Sequence, residues 1–118
     1  MAYTPRQGDI IKMNFNPTKG HEQKGSNRPA VIVSNADFNK FARGVAIVCP
    51  ITNTDRGIPL HPKLDGRTQT TGVVMTDQVK ALDLLERNAE FVEQMPTDIL
   101  AEVCDIVRFT EHDANVQT

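Results

Sequence analysis

Residues Asn16–Ser34 read NPTKGHEQKGSNRPAVIVS. The first twelve hold no Val, Ile, Leu or Phe, and then Arg28 and Pro29 lead straight into Ala30-Val31-Ile32-Val33. A connection of about twelve residues is longer than a tight hairpin needs, and such loops in compact domains are usually functional or disordered. The apolar run behind it is short and continuous, the signature of a buried strand. The polar half carries His21, Glu22, Lys24 and Arg28. Side chains of this kind, set beside a rigid strand, mark a place to look for chemistry.

The pattern outside this stretch repeats the strand theme. Upstream, GDIIKMNF sets Ile11, Met13 and Phe15 at period two with Lys12 and Asn14 between them, as in a half-buried strand. Downstream, Phe38 and Phe41 in NADFNKFA suit one or two helical turns. GVAIVCPIT reads as another buried strand, with Pro50 marking a bend or strand end. NTDRG is a turn, and IPLHPKL is reduced by its two prolines to an edge or irregular strand. Short strands are expected around Val73–Met75 and Gln78–Leu82, and AEFVEQ supplies the last one. Then the period changes. Ile99, Leu100, Val103, Ile106 and Val107 form one helical face, Pro96 and Thr97 suit its start, and Asp98 complements the helix dipole. The tail EHDANVQT is expected to fray.

These elements predict one mainly β (α+β) domain over residues 1–118: a small barrel of short antiparallel strands with a C-terminal helix. Its core would cover about residues 6–109, with 110–118 as a polar tail. Hydrophobic residues make up 39% and charged residues 24%, ordinary for a soluble globular chain. No apolar run approaches the ~20 residues of a membrane span, and MAYTPRQGD lacks a signal-peptide core, so a cytoplasmic protein is expected. Cys49 and Cys104 sit in apolar segments outside any CxxC pair and read as reduced core thiols. His21, His61 and His112 are scattered, so neither a metal centre nor a cofactor is expected. Charge is uneven. Residues 1–60 carry eight Lys/Arg against four Asp/Glu, and residues 61–118 five against eleven. A basic first half suits an anionic partner, though a mixed solvated surface accounts for it equally well.

There is no P-loop, GxSxG, HExxH or GxGxxG. The polar residues that stand out lie at strand edges and on the opening loop: Arg28, Thr52, Asp77, Gln78, Glu22 and His21. Each has a plainer use. Arg28 suits a surface ion pair, Thr52 and Asp77 suit turns, and His21 and Glu22 suit a solvated face.

Taken together, RQGDIIKMNFNPTKGHEQKGSNRPAVIVS, VAIVCPITN and TGVVMTDQVKALD resemble, in order and spacing, the MazF/PemK family of bacterial toxin endoribonucleases. The resemblance covers about residues 6–109 and includes the final helix after MPTDILAEV. It implies an SH3-like, CcdB-like barrel working as a homodimer. It also implies metal-independent, sequence-specific cleavage of single-stranded RNA, mostly mRNA, leaving a 2′,3′-cyclic phosphate and a 5′-hydroxyl. The family's catalytic arginine and threonine fall on Arg28 and Thr52. A loop acid, an aspartate and a supporting histidine fall on Glu22, Asp77 and His21. Lys19, Gln23, Lys24, Asn27, Asn53, Arg56 and Gln78 are expected to contact the RNA. Several relatives carry an arginine two residues before the aspartate, and here that position is Met75. The implied partner is an antitoxin whose acidic C-terminal segment covers the RNA groove, with promoter DNA bound only by the pair.

Within that frame the chemistry is assigned by residue type. Arg28 suits the phosphorane charge because its guanidinium grips two oxygens and stays protonated. The Thr52 hydroxyl is far too weak an acid to serve as a base and is expected to position the substrate. With no Trp, one Tyr and five Phe, most of them expected in the core, bases would be read by loops 16–27, 53–57 and 64–71. Two rivals remain: a gyrase poison of the same fold and a non-catalytic SH3-like module.

Overall fold

The computed structural model describes residues 3–14 and 27–117. The elements run β1 (Asp9–Asn14), β2 (Asn27–Ile32), α1 (Ala36–Phe41), β3 (Val45–Thr52), β4 (Val73–Val74), a 3-10 turn (Thr76–Gln78), β5 (Lys80–Asp83), β6 (Glu90–Gln94) and α2 (Thr97–Gln117). All strand pairs are antiparallel in the order β4-β3-β2-β1-β6, and β5 also pairs with β3. The expected strands and terminal helix are present, but the sheet is open. Among the described residues no ladder joins β6 to β4 or β5.

The sheet separates two apolar layers. Ile10, Val31, Val33, Cys49, Ile51 and Val74 face α2, where Ile99, Val103 and Val107 close over them. Ile11, Met13, Ala30, Ile32, Ala46 and Val48 point the other way, under Leu84 and the half-buried Tyr3 and Leu82. Strands β1, β2 and β3 are therefore buried on both sides, so the half-buried reading of β1 is corrected by Ile10. Each buried Ile or Val contributes about 1.5–3 kcal/mol. A one-residue slip would carry every side chain to the wrong layer, which fixes the register.

Pro50 lies inside β3 and does not end it. On one edge of β3, β5 pairs with residues 45–48 and β4 with 51–52. Pro50 stands at the join, where its carbonyl accepts the Met75 N–H at 2.8 Å. A strand residue directs its N–H and C=O to the same side, so the missing donor of Pro50 falls in the gap between two ladders. The chain fills that gap with the 3-10 turn Thr76–Gln78, which places Gln78 in the turn and starts β5 at Lys80.

Two further expectations change, and a third holds. Helix α2 runs on through the tail to Gln117, with no Gly or Pro between Thr97 and Gln117 to interrupt it. The four described phenylalanines are not core: Phe38, Phe41, Phe91 and Phe109 are all exposed, Phe41 at 91%. Aliphatic residues and methionines fill both layers instead. Segment 58–64 holds only an isolated bridge, Lys63 to Val73, as its prolines suggest.

Two anionic side chains fasten the loop that follows. Arg67 forks onto Asp65 at 2.8 Å and onto Asp98 of α2 at 3.0 Å, and its hydrogen bonds hold both carboxyls below the usual range. Glu93 of β6 accepts the Thr70 N–H and hydroxyl, each at 2.8 Å, and the Gln69 N–H at 3.1 Å. Desolvation pulls the Glu93 carboxyl upward, but these donors outweigh it and leave it lowered. Gly72 then turns the chain into β4 at φ 118°, a conformation open mainly to glycine. A Cβ there would stand 2.2 Å from the Thr52 carbonyl oxygen.

Gly72→Ala is expected to lose at least ~2 kcal/mol of stability, combining strain with a backbone clash. Urea unfolding measures it, and a midpoint within error of wild type contradicts it. Glu93 has a lowered folded pKa, so its contribution is present above the unfolded value of about 4.3 and disappears as pH falls through the folded one. Glu93→Gln should therefore decline less steeply than wild type in melting scans from pH 6 to 3. Parallel declines would refute this.

Candidate active site

The register brings Arg28 and Thr52 together. Ala30, Val31 and Ile32 of β2 face Pro50, Cys49 and Val48 of β3, and two more steps set Arg28 level with Thr52. Both belong to the face turned away from α2. Arg28 is opposite Met13, and Thr52 alternates with Ala46 and Val48, all of that layer. The row continues: Thr52 is opposite Val73 and Val73 opposite Lys63. Cross-strand partners share a face. Arg28, Thr52 and Lys63 thus lie along one line across the sheet, about 14 Å long at ~5 Å per strand. Arg28 and Lys63 are exposed and Thr52 half-buried.

Thr52 sits at the mouth of a turn that engages its hydroxyl. Its Oγ1 accepts the Thr54 N–H at 3.1 Å. That bond uses one lone pair and leaves the hydroxyl proton of Thr52 available to a bound oxygen. Next, Asp55 Oδ1 accepts the Gly57 N–H at 2.9 Å and Lys63 pairs with Asp55 at 3.5 Å. The Gly57 N–H is the main cause of the lowered Asp55 carboxyl, with Lys63 and His61 adding to it. Asn53 Oδ1 accepts the Thr71 hydroxyl at 2.7 Å, which leaves the side-chain amide as its donor to a ligand.

Asp77 belongs to the 3-10 turn, which begins level with Pro50, two residues or roughly 7 Å along β3 from Thr52. Its carboxylate is 61% exposed and bonds His61 Nε2 at 2.7 Å, while the His61 ring is only 7% exposed. Segment 58–64 reaches β4 through the Val74 N–H to Pro62 carbonyl bond at 2.9 Å and the Thr76 hydroxyl to Leu60 carbonyl bond at 2.6 Å.

Of the candidate residues, Arg28, Thr52, Asn27, Asn53, Arg56, Asp77 and Gln78 lie on strand ends, the 53–57 turn and the 3-10 turn. His21, Glu22, Lys19, Gln23 and Lys24 lie outside the described residues, as does most of loop 16–27. In loop 64–71, expected to read bases, most backbone donors are already engaged. The N–H groups of Arg67, Thr68, Gln69 and Thr70 are all taken, by Asp65, by the Asp65 carbonyl and by Glu93. It serves as a buttress behind the site. His61 and Lys63 are the residues the sequence reading missed. No local spacing announces them, because only sheet pairing joins 58–64 to β4. Burial pushes the Cys49 thiol up to about 12, and Cys104 is raised by the same cause, so both free thiols are unreactive. Among the described residues no His/Cys/Asp/Glu cluster suits a metal ion, and no helix is long and apolar enough to cross a membrane.

Comparison with known proteins gives a single direction. A family model described as PemK-like, MazF-like toxin of type II toxin-antitoxin systems matches residues 6–110. The chain is 39% identical over 101 residues to Endoribonuclease PemK of Escherichia coli, covering 82% of this chain and 74% of that protein. It is 39% identical over 87 residues to the Endoribonuclease toxin MazF of Escherichia coli K12, covering 74% and 76%. The crystal structure of MazF from Deinococcus radiodurans superposes with a TM-score of 0.77 at 37% identity, covering 90% of this chain and 94% of that one. A MazE–MazF structure from the same organism gives 0.75 at 32% identity, covering 90% and 93%. This chain belongs to the PemK-like, MazF-like toxin family of type II toxin–antitoxin systems, whose curated relatives are named endoribonucleases.

Proposed function

We propose that this member of the MazF/PemK endoribonuclease family cuts single-stranded mRNA in the cytoplasm, at a preferred sequence and without a metal ion, and so arrests translation. The observation that carries the reading is the shared face of Arg28 and Thr52, with the 3-10 turn that holds the exposed Asp77 carboxylate starting beside Pro50, two residues along β3 from Thr52. The RNA 2′-hydroxyl attacks the adjacent phosphorus, its proton passes to Asp77, and the P–O5′ bond breaks. The leaving oxygen takes a proton from His21, Glu22 or water, so the proton count balances. The products are a 2′,3′-cyclic phosphate and a 5′-hydroxyl.

Arg28 carries the charge that develops on the phosphoryl oxygens, and its forked donors match two of them at once. With Met75 where several relatives place an arginine, this task rests on Arg28. Thr52 donates its hydroxyl proton to a phosphate oxygen and holds the in-line geometry, a role its bond from Thr54 prepares. Asn53, Arg56 and Gln78 read the neighbouring bases, with Asn27, Lys19, Gln23 and Lys24 on the β1–β2 side. The exposed cations Arg28, Arg56 and Lys63 also suit the acidic tail of a cognate antitoxin, an extended anion like RNA. The active form is a homodimer, and promoter DNA is bound only with the antitoxin.

The test is incubation of a long in vitro transcript with purified protein in EDTA, followed by mapping of 5′ ends. Discrete cuts ending in 5′-hydroxyl are expected. Arg28→Ala should lower the rate ~10²–10³-fold, with Lys a poor replacement. Near wild-type cleavage by Arg28→Ala overturns the assignment. Thr52→Val should slow cleavage by ~10-fold or more while Thr52→Ser stays close to wild type, the reverse order contradicting the donor role. Antitoxin peptide and RNA should compete, and full cleavage within a ternary complex would exclude a shared groove.

A further inference from the structure

The His61–Asp77 pair joins two segments 16 residues apart, and the exposures of its members are opposite. Asp77 faces solvent while the His61 ring lies behind it. We infer that His61 is a positioning residue of the reaction: its Nε2–H holds Asp77 Oδ1, fixing the carboxylate so that Oδ2 meets the RNA 2′-hydroxyl. The inference rests on the reading of Asp77 as proton acceptor.

Three features support this division of labour. First, a ring nitrogen and a carboxylate oxygen 2.7 Å apart must share a proton, since two bare acceptors at that distance repel. A carboxylate that awaits a proton from RNA leaves that proton on His61 Nε2. Second, the ring is placed by backbone on both sides. The Leu60 carbonyl takes the Thr76 hydroxyl, the Pro62 carbonyl takes the Val74 N–H, and the His61 N–H closes a turn onto the Ile58 carbonyl at 3.0 Å. Thr76 directly precedes Asp77 in the same 3-10 turn, so ring and carboxylate are held from one short piece of chain. Third, Lys63, two residues beyond the ring, pairs with Asp55 at 3.5 Å and so ties segment 58–64 to the turn that follows Thr52. An exposed aspartate on a three-residue turn has free rotation about two bonds, and a single buried donor removes that freedom before substrate arrives.

The test is single-turnover cleavage of a long in vitro transcript across a range of protein concentrations. His61→Ala should lower the maximal rate ~10-fold or more and leave the half-saturating protein concentration unchanged, because phosphate grip rests on Arg28. His61→Gln, which keeps a side-chain N–H donor, should recover much of the rate. Asp77→Asn should be slow by ~10². The double variant should be no slower than Asp77→Asn alone, since His61 acts through that carboxylate. If Asp77→Asn is slow and folded His61→Ala cuts like wild type, this inference fails and the Asp77 assignment stands. If Asp77→Asn cuts like wild type, the assignment itself falls, and this inference with it. A folded His61→Gln as slow as His61→Ala, or a double variant showing the full product of both losses, also overturns it. Two-bond 1H–15N spectra of the wild-type protein give a readout independent of how the variants fold. They should place the ring proton on Nε2, and a ring protonated only on Nδ1 excludes the proposed contact.

Discussion

One strand edge with two partners determines most of this molecule. β3 cannot bond continuously along its outer edge, because Pro50 offers a carbonyl there and no N–H. β4 therefore ends and β5 begins on either side of the gap, and the residues between them close into a 3-10 turn. That turn is the only reason Asp77 leaves the pleat and reaches the His61 ring. The two ladders also differ in register, with Ile51 opposite Val74 but Val48 opposite Lys80, so the chain between them must leave the edge of β3. The site is built from an interruption in the sheet, held open by a residue that cannot repair it.

The interruption is tolerable because everything around it is over-determined. β1, β2 and β3 bury both faces, so their mutual register resists slippage. Behind them Arg67 and Glu93 fasten the loop into β4 to α2 and β6, using side chains at the surface. Gly72 lets that loop return close against the Thr52 carbonyl. Thr52 is thereby gripped from three sides: by β4 across the ladder, by the Gly72 approach, and by its own turn to Thr54.

Much of this was legible in the chain. Continuous apolar runs mark β2 and β3 as buried strands, whereas the alternation in β1 hides its second buried face, and the change of period at Ile99–Val107 marks the helix that covers one layer. Arg28, Thr52 and Asp77 stood out as polar residues at strand boundaries. The rest depended on contacts between distant segments. His61 and Lys63 acquire meaning only through pairing with β4, which no spacing encodes. The phenylalanines misled because aromatic residues usually fill cores, whereas here paired sheet faces close together were packed by Ile, Val and Met. Pro50 was read as a strand end because proline normally is one, and its position at a join between ladders is a fact of topology. Loop 64–71 was polar enough to read bases, yet its polar groups answer one another.

The separation of scaffold from reading surface has a consequence for how such a toxin changes over generations. Arg28 and Thr52 stand at the ends of strands whose apolar residues are packed in both layers, so substitutions among those apolar residues are felt first as lost stability. The 53–57 turn hangs beyond the last of those strands, with its side chains exposed and its own short hydrogen bonds holding its shape. New side chains at Asn53 or Arg56 can arise without disturbing the layer beneath. On the proposed reading, a lineage would be free to drift in which transcripts it cuts while Arg28 and Thr52 stay in place, and single changes at the rim would spare or expose a host's messages.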